Sequence, residues 1–241
     1  MQRGINWQKS ISEGNTVSIF IKHPNGSTQR CEIRQMDERQ LETFLSLYSA
    51  ASPDAITAER FLHAPAQAFR DMLLGGEMLG LFSSQQLVAA AGWYLPAAMR
   101  QRELLFCHSP ANEAVMTGCF AHPAYAAQQP QLHLIRACCM RALQQAGHRS
   151  LTAYTSLRDE AKTAMLLREG FLLCGFDEAR FCLPRYVFRK DAAAAVQADI
   201  SFCVPFADTY AVTRALADGA AGHALSQRQG ETVLWMSPRQ G

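Results

Sequence analysis

The residue types most able to do chemistry in this 241-residue chain are its eight cysteines and seven histidines, together with the polar residues around one strand, turn and helix junction. A cysteine attacks acyl groups or binds metal as a thiolate, which needs a nearby cation or a helix N-terminus to lower its pKa. Cys31, Cys107, Cys119, Cys138, Cys139, Cys174, Cys182 and Cys203 all stand in apolar surroundings without a Cys-x-x-Cys pair. That is the pattern of buried free thiols rather than of a disulfide scaffold or a nucleophile. The histidines are scattered and never set at i, i+4, so no metal site is expected. What remains is residues 119 to 143, "CFAHPAYAAQQPQLHLIRACCMRAL", which read as a strand end, a glutamine-rich turn and a helix. Pro130 suits the first helical turn, where its missing N–H is not needed.

The elements that must position this junction follow from apolar periodicity. Thr16 to Lys22 and Thr28 to Arg34 alternate around an Asn25-Gly26 turn and predict a hairpin. From Asp37 the period lengthens, with Leu41, Phe44, Leu45 and Tyr48 on one helical face, and a second helical stretch runs from Asp54 to Leu74. Glu77 to Phe82 and Leu87 to Tyr94 predict another hairpin, Arg102 to Cys107 a strand, and Glu113 to Ala121 one long strand leading into the turn. Leu132, Ile135, Cys139, Leu143 and Ala146 give the next helix its apolar face up to Gly147. Leu151 to Thr155 is a strand, and Ser156 with Asp159 resembles a capping box for a helix stopping at Gly170. Phe171 to Phe176 and Tyr186 to Lys190 close this unit. An alanine-rich stretch, Asp191 to Asp199, leads to a strand, helix and strand appendage ending with "TVLWM".

Ala121, His122, Pro123 and Tyr125 fall on the first half of a Val-Asp-Pro-x-Tyr-Arg-Gly-x-Gly-x-Gly signature, and Gly170-Phe171 falls on a closing Gly-Phe. With the element order over roughly residues 31 to 190, this resembles the GNAT superfamily of acyl-CoA-dependent N-acetyltransferases. The resemblance implies an α/β fold with a mixed, splayed central sheet and helices on both faces. Residues 1–30 then form an N-terminal hairpin extension, 31–190 the acyltransferase domain and 191–241 the βαβ-like appendage. It further implies acetyl-CoA, or another acyl-CoA, as cofactor. Main chain at Cys119, Phe120 and Ala121 would meet pantetheine. Gln128, Gln129, Gln131 and Leu132, with Asp159, would lie around the pyrophosphate, where amides and a helix dipole gather. Ala126, Gln129 and Gln131 replace the family's Arg or Gln and its two phosphate-loop glycines.

The same alignment puts Leu166 where many members carry a tyrosine acid, and Val115 near their glutamate. Glu113 lies two residues before Val115, on the same side by strand alternation, and is the candidate base. Tyr154 on the following strand is the candidate acid; a packed ring and a solvated strand-end carboxylate are the ordinary readings of these two residues. His122 caps the turn in this reading. The function implied is transfer of an acyl group, in the first place acetyl, from coenzyme A to a small-molecule or protein amine. The alternative is a GNAT-like sensor or interaction module without catalysis. The acceptor pocket is expected from the Asp54 to Leu74 helices, the Leu95 to Ala111 segment and the Cys174 to Tyr186 loop.

Composition bounds the partners. A formal charge of +2, from 23 basic and 21 acidic residues spread along the chain, leaves no basic stripe for nucleic acid. No apolar run approaches a membrane span and no signal-like segment opens the sequence, so a cytoplasmic protein without a membrane partner is expected. The appendage leaves a homodimer open.

Overall fold

The computed structural model describes residues 16–22, 26–51, 66–74, 78–95, 113–116, 118–178, 184–193 and 201–238. The expected strand at 102–107, the expected helix over 54–65 and most of the segments assigned to the acceptor pocket lie outside them, as do Cys107, Cys182 and Asn25.

The first hairpin forms as its alternation dictates, from β1 (Val17–Lys22) and β2 (Thr28–Gln35). Val17, Ile19, Ile21, Cys31 and Ile33 turn inward and are buried. Asp37 then stops the strand. Its carboxylate accepts the Arg39 amide while the Gln40 side chain accepts the Asp37 amide, a reciprocal cap that starts a short 3-10 turn and α1 (Leu41–Ala51). After α2 (Ala66–Leu74) come β3 (Met78–Ser83) and β4 (Gln86–Tyr94), which are buried along nearly their whole length. A strand apolar on both sides must be covered on both sides. One face of the sheet is closed by α1 and α2, with Phe44, Leu47, Phe69 and Met72 in the core.

β5 (Glu113–Met116), β6 (Phe120–Ala121), α3 (Pro130–Cys139), β7 (Ser150–Ser156) and α4 (Glu160–Arg168) follow, then β8 (Leu172–Asp177) and β9 (Arg185–Asp191). α3 continues as a π-helical turn over Met140–Gln145. Its buried residues include Leu134, Ile135, Ala137, Cys138 and Cys139, so Leu134 takes the core place assigned to Leu132, which is only partly buried. The helix before Gly170 is capped by Asp159, which accepts the Lys162 amide at 3.0 Å, rather than by Ser156. Gly170 has φ +82°, the left-handed conformation that ends a helix at least cost with glycine.

The C-terminal stretch departs from the expected strand, helix and strand. It folds as β10 (Phe202–Pro205), α5 (Thr209–Ala217), β11 (Ala220–Arg228) and β12 (Glu231–Pro238). β11, "AAGHALSQR", is poor in β-branched residues and its alternation is broken by a bulge between Gly222 and Ala224. Tertiary pairing makes it a strand: β12 runs along it, and Gly222 meets Leu173 of β8. A Cβ at Gly222 would come within 2.9 Å of the Leu234 side chain, so only glycine lets the strands approach so closely. The described strands thereby form one twelve-stranded sheet in the order β1-β2-β3-β4-β5-β7-β9-β8-β11-β12-β10, with β6 alongside β4.

α3, α4 and α5 contribute Leu134, Ile135, Leu166, Leu167, Val212 and Leu216 to the larger core cluster. α3 and α4 are tied by a fork of hydrogen bonds from Arg136 to Glu169, Nε to Oε2 at 3.0 Å and Nη2 to Oε1 at 2.7 Å. The Glu169 side chain is 6% exposed, and its backbone carbonyl also accepts from Lys190 of β9. A carboxylate this buried is tolerable only when paired. Arg136→Met should therefore lower stability by about 2 kcal/mol, below the full cost of orphaning a buried charge because Arg136 is half exposed. Urea denaturation checks this; an unchanged midpoint would show that the fork does not hold the two helices together.

Candidate active site

The candidate site begins where two strands part. β5 and β7 run parallel, with Glu113 opposite Ser150, Ala114 opposite Leu151 and Val115 opposite Thr152. Beyond Thr152, β7 keeps its partner β9 through Ser156, but the other chain turns back to β4, where Phe120 meets Ala90 and Ala121 meets Ala89. From Trp93 to Ala90 along β4 is three steps, while from Met116 to Phe120 opposite is four. The extra residue is a bulge, and it bends the strand away from β7. It also rotates the side chains. Val115 and Phe120 both lie on the α1 and α2 face, whereas Met116, Cys119 and Ala121 lie on the α3 and α4 face. The single strand expected over Glu113 to Ala121 is thus two short strands joined by a bend. The β5–β7 ladder therefore ends at Val115 and Thr152, and beyond it a gap opens between β6 and the rest of β7.

α3 starts at the open end of this gap. His122 caps the turn as expected, Nδ1 accepting the Ala124 amide at 3.3 Å, and Pro123–Gln128 form a 3-10 helix. Gln129 then adopts φ +48° and ψ +49°, the left-handed region that favours glycine. The turn therefore keeps a glycine-like path without a glycine. Its amides are less free than in a glycine loop. The Gln129 N–H donates to the Ala126 carbonyl, the Leu132 N–H donates to the Gln129 carbonyl, and Pro130 has none. Gln131 has a buried Oε1 that receives no hydrogen bond, an acceptor in want of a donor. Its carbonyl accepts the Cys119 thiol at 3.8 Å.

Cys119 is no nucleophile. Burial pushes its pKa up to about 12, against the pull of the Lys162 ammonium, and burial likewise raises Cys138 and Cys139, so all three are thiols at neutral pH. Lys162 did not stand out in the sequence. The signal for it was a lysine in the first turn of a helix, at the positive end of the dipole. It is partly buried, and burial lowers its pKa, with Asp159 opposing and Arg185 reinforcing that shift. Among the described residues its ammonium makes no ion pair and no side-chain hydrogen bond. Asp159, the third member of this neighbourhood, serves as the α4 cap.

On the opposite face, Tyr154 lies two residues past Thr152, the last β7 residue paired with β5, and packs against the cluster of Tyr94, Val115 and Phe120. Phe120 sits in an aromatic group with Tyr48 at 5.2 Å and Phe44 at 5.8 Å between ring centroids. Glu113 stands elsewhere. It pairs with Arg189 at 2.7 Å, at the β5 end away from the gap. Four residues of β7 separate its partner Ser150 from Tyr154, about 13 Å along the strand. Tyr154 and Phe120 thus share one apolar cluster beside the gap, Cys119 meets the Gln131 carbonyl on the other face, Asp159 is taken up by the α4 cap, and Glu113 stands apart with Arg189. Leu166, at the position of the family's tyrosine, is fully buried in the core.

No protein-family model matches this chain, and no curated protein sequence matches it. Similarity appears in solved structures. The loading GNATL domain of CurA from Lyngbya majuscula superposes with a TM-score of 0.54 at 10% identity, over 67% of this chain and 98% of that one. The GNAT domain of S. lividans PAT gives 0.52 at 14% identity, over 79% and 99%, and an N-acetyltransferase from Staphylococcus aureus Mu50 gives 0.52 at 12%, over 67% and 98%. Parted parallel strands, a helix opening at their gap, helices on both faces and these superpositions agree: the chain has the GNAT fold.

Proposed function

We propose that this protein is an acyltransferase that moves an acyl group, in the first place acetyl, from coenzyme A to an amine held on the α1 and α2 face. The observation that carries the reading is the gap itself. Beyond Val115 the strand stops pairing with β7 and follows β4 alone, and a parted strand pair beside a helix N-terminus suits an extended ligand with amide N–H and C=O groups, as pantetheine has. Acyl-CoA would supply an activated thioester. The chain would hold it along β5 and β6, with the α3 N-terminus toward its phosphates. Direct attack by the amine then needs proximity and somewhere for a proton to go. Tyr154, packed beside the gap, is the candidate to protonate a departing thiolate.

A second reading, binding of acyl-CoA without turnover, draws on Glu113 and Leu166. The aligned acid is an inert core residue, and the candidate base is engaged with Arg189. Both readings need the cofactor, so cofactor binding is the first test. A ligand that binds only the folded state at a hundredfold excess over its dissociation constant adds about 2.7 kcal/mol. Acetyl-CoA should accordingly raise the melting temperature by several degrees; no shift at millimolar ligand would remove both readings.

Release of CoA thiol with a panel of amines then separates them, because only an enzyme shows amine-dependent release. Tyr154→Phe should lower turnover about a hundredfold at unchanged acetyl-CoA affinity; full activity would take the acid role from it. For Glu113→Gln, a comparable loss at constant affinity would mark a positioned base. Normal turnover with reduced stability would mark a strand-end ion pair, with water or the acceptor handling the proton.

A further inference from the structure

The least comfortable charge near the gap is Lys162. It sits in the first turn of α4, where the helix dipole opposes a cation. It is partly buried, and Arg185 on β9, only 4% exposed, adds a like charge. Asp159 offsets this in part, but one of its oxygens is held by the Lys162 amide. Burial, the helix dipole and Arg185 all disfavour an ammonium here.

Topology shows what it faces. α3 returns from β6 to β7 and α4 from β7 to β8, and β7 and β8 both run antiparallel to β9. The two helices therefore run in the same direction, with their N-termini at the same end of the sheet. Glu169 grips Arg136 across them, so the α4 stripe carrying Glu169, Leu166 and Lys162 is the one directed at α3. Lys162 is seven residues before Glu169, about 10 Å up the helix; Gln129 and Gln131 are seven and five residues before Arg136. Lys162 is electrostatically coupled to Cys119, whose thiol meets the Gln131 carbonyl, so the ammonium is directed toward the turn whose amides are reduced by Pro130 and by the left-handed Gln129, a turn that Arg168 of α4 also touches through Gln129 Oε1 at 3.5 Å.

Resting on the acyl-CoA reading, we propose that Lys162 is the phosphate anchor of this site, a side-chain cation doing what glycine-loop amides do in a standard phosphate turn. A compact ammonium suits this, since it serves a pyrophosphate as a point charge without needing a fixed fork. The anchor also accounts for the tolerance of glutamines at 129 and 131: with charge arriving from α4, the backbone need not approach the anion closely.

The test is calorimetry on the full chain and on Lys162→Met and Lys162→Arg, with acetyl-CoA, with S-acetylpantetheine, which has no phosphate, and with inorganic pyrophosphate. Lys162→Met should weaken acetyl-CoA at least tenfold, leave acetylpantetheine unchanged and abolish pyrophosphate binding, while Lys162→Arg keeps most of the affinity. Unliganded Lys162→Met should also melt higher than the parent, a result that a merely structural lysine would not give. Equal acetyl-CoA affinity in parent and Lys162→Met, or equal loss of acetylpantetheine, would overturn the anchor. A parent that ignores acetyl-CoA but binds pyrophosphate through Lys162 would sink the acyl-CoA reading and keep the anchor. A parent that binds neither sinks both.

Discussion

A backbone strand edge can pair with one neighbour at a time, and the rest of this site depends on the place where that choice changes. Up to Val115 the chain pairs with both β4 and β7; after a one-residue bulge it returns to β4 alone. Beyond that point each side of the gap keeps a ladder partner on its far edge, β4 for Phe120 and Ala121 and β9 for Ala153 to Ser156. The bulge also exchanges the faces, directing Cys119 and Ala121 to the α3 and α4 side and Phe120 to the α1 and α2 side. One inserted residue thereby decides which side chains of this stretch face α1 and α2 and which face α3 and α4.

The electrostatics around the gap are arranged by burial more than by charge count. The Arg136 and Glu169 fork neutralises the one buried carboxylate between α3 and α4 and fixes their relation. The thiols lining the interior are held protonated by desolvation, which removes them as nucleophiles and leaves them to pack as small apolar side chains. Against this background Lys162 stands as a partly buried cation that, among the described residues, makes no ion pair and no side-chain hydrogen bond.

The C-terminal strands extend the sheet beyond β8 and move its edge outward to β10. Gly222 makes this junction through close approach to Leu173 and Leu234, and Phe206 at the start of the unit packs on Tyr186 of β9 with ring centroids 5.8 Å apart. The added elements therefore share a core with the strands that border the gap, and Val212 and Leu216 of α5 belong to the same apolar cluster as Leu166 of α4.

Taken alone, the sequence determined whatever local chemistry decides. Alternation gave both N-terminal hairpins, Pro130 opened α3, Gly170 closed α4, His122 capped the turn, and the apolar settings of Cys31, Cys119, Cys138 and Cys139 foretold buried thiols. Residues 119–126 and 170–171 also carried enough of a signature to name the fold. Tertiary structure decided what depends on partners distant in the chain. Whether 113–121 is one strand or two turns on competition between β4 and β7. Whether β11 exists turns on neighbours that supply what its alanines and glycines lack in strand preference. Glu113 was read as a base beside the gap, yet its carboxylate meets Arg189, 76 residues away in the sequence, at the other end of the strand. Lys162 acquires its electrostatic setting only when the fold brings Cys119 and Arg185 within reach of its charge. Periodicity reports which side of an element is apolar, whereas a site is made by the distances between elements, and those are fixed only when the whole sheet has chosen its pairs.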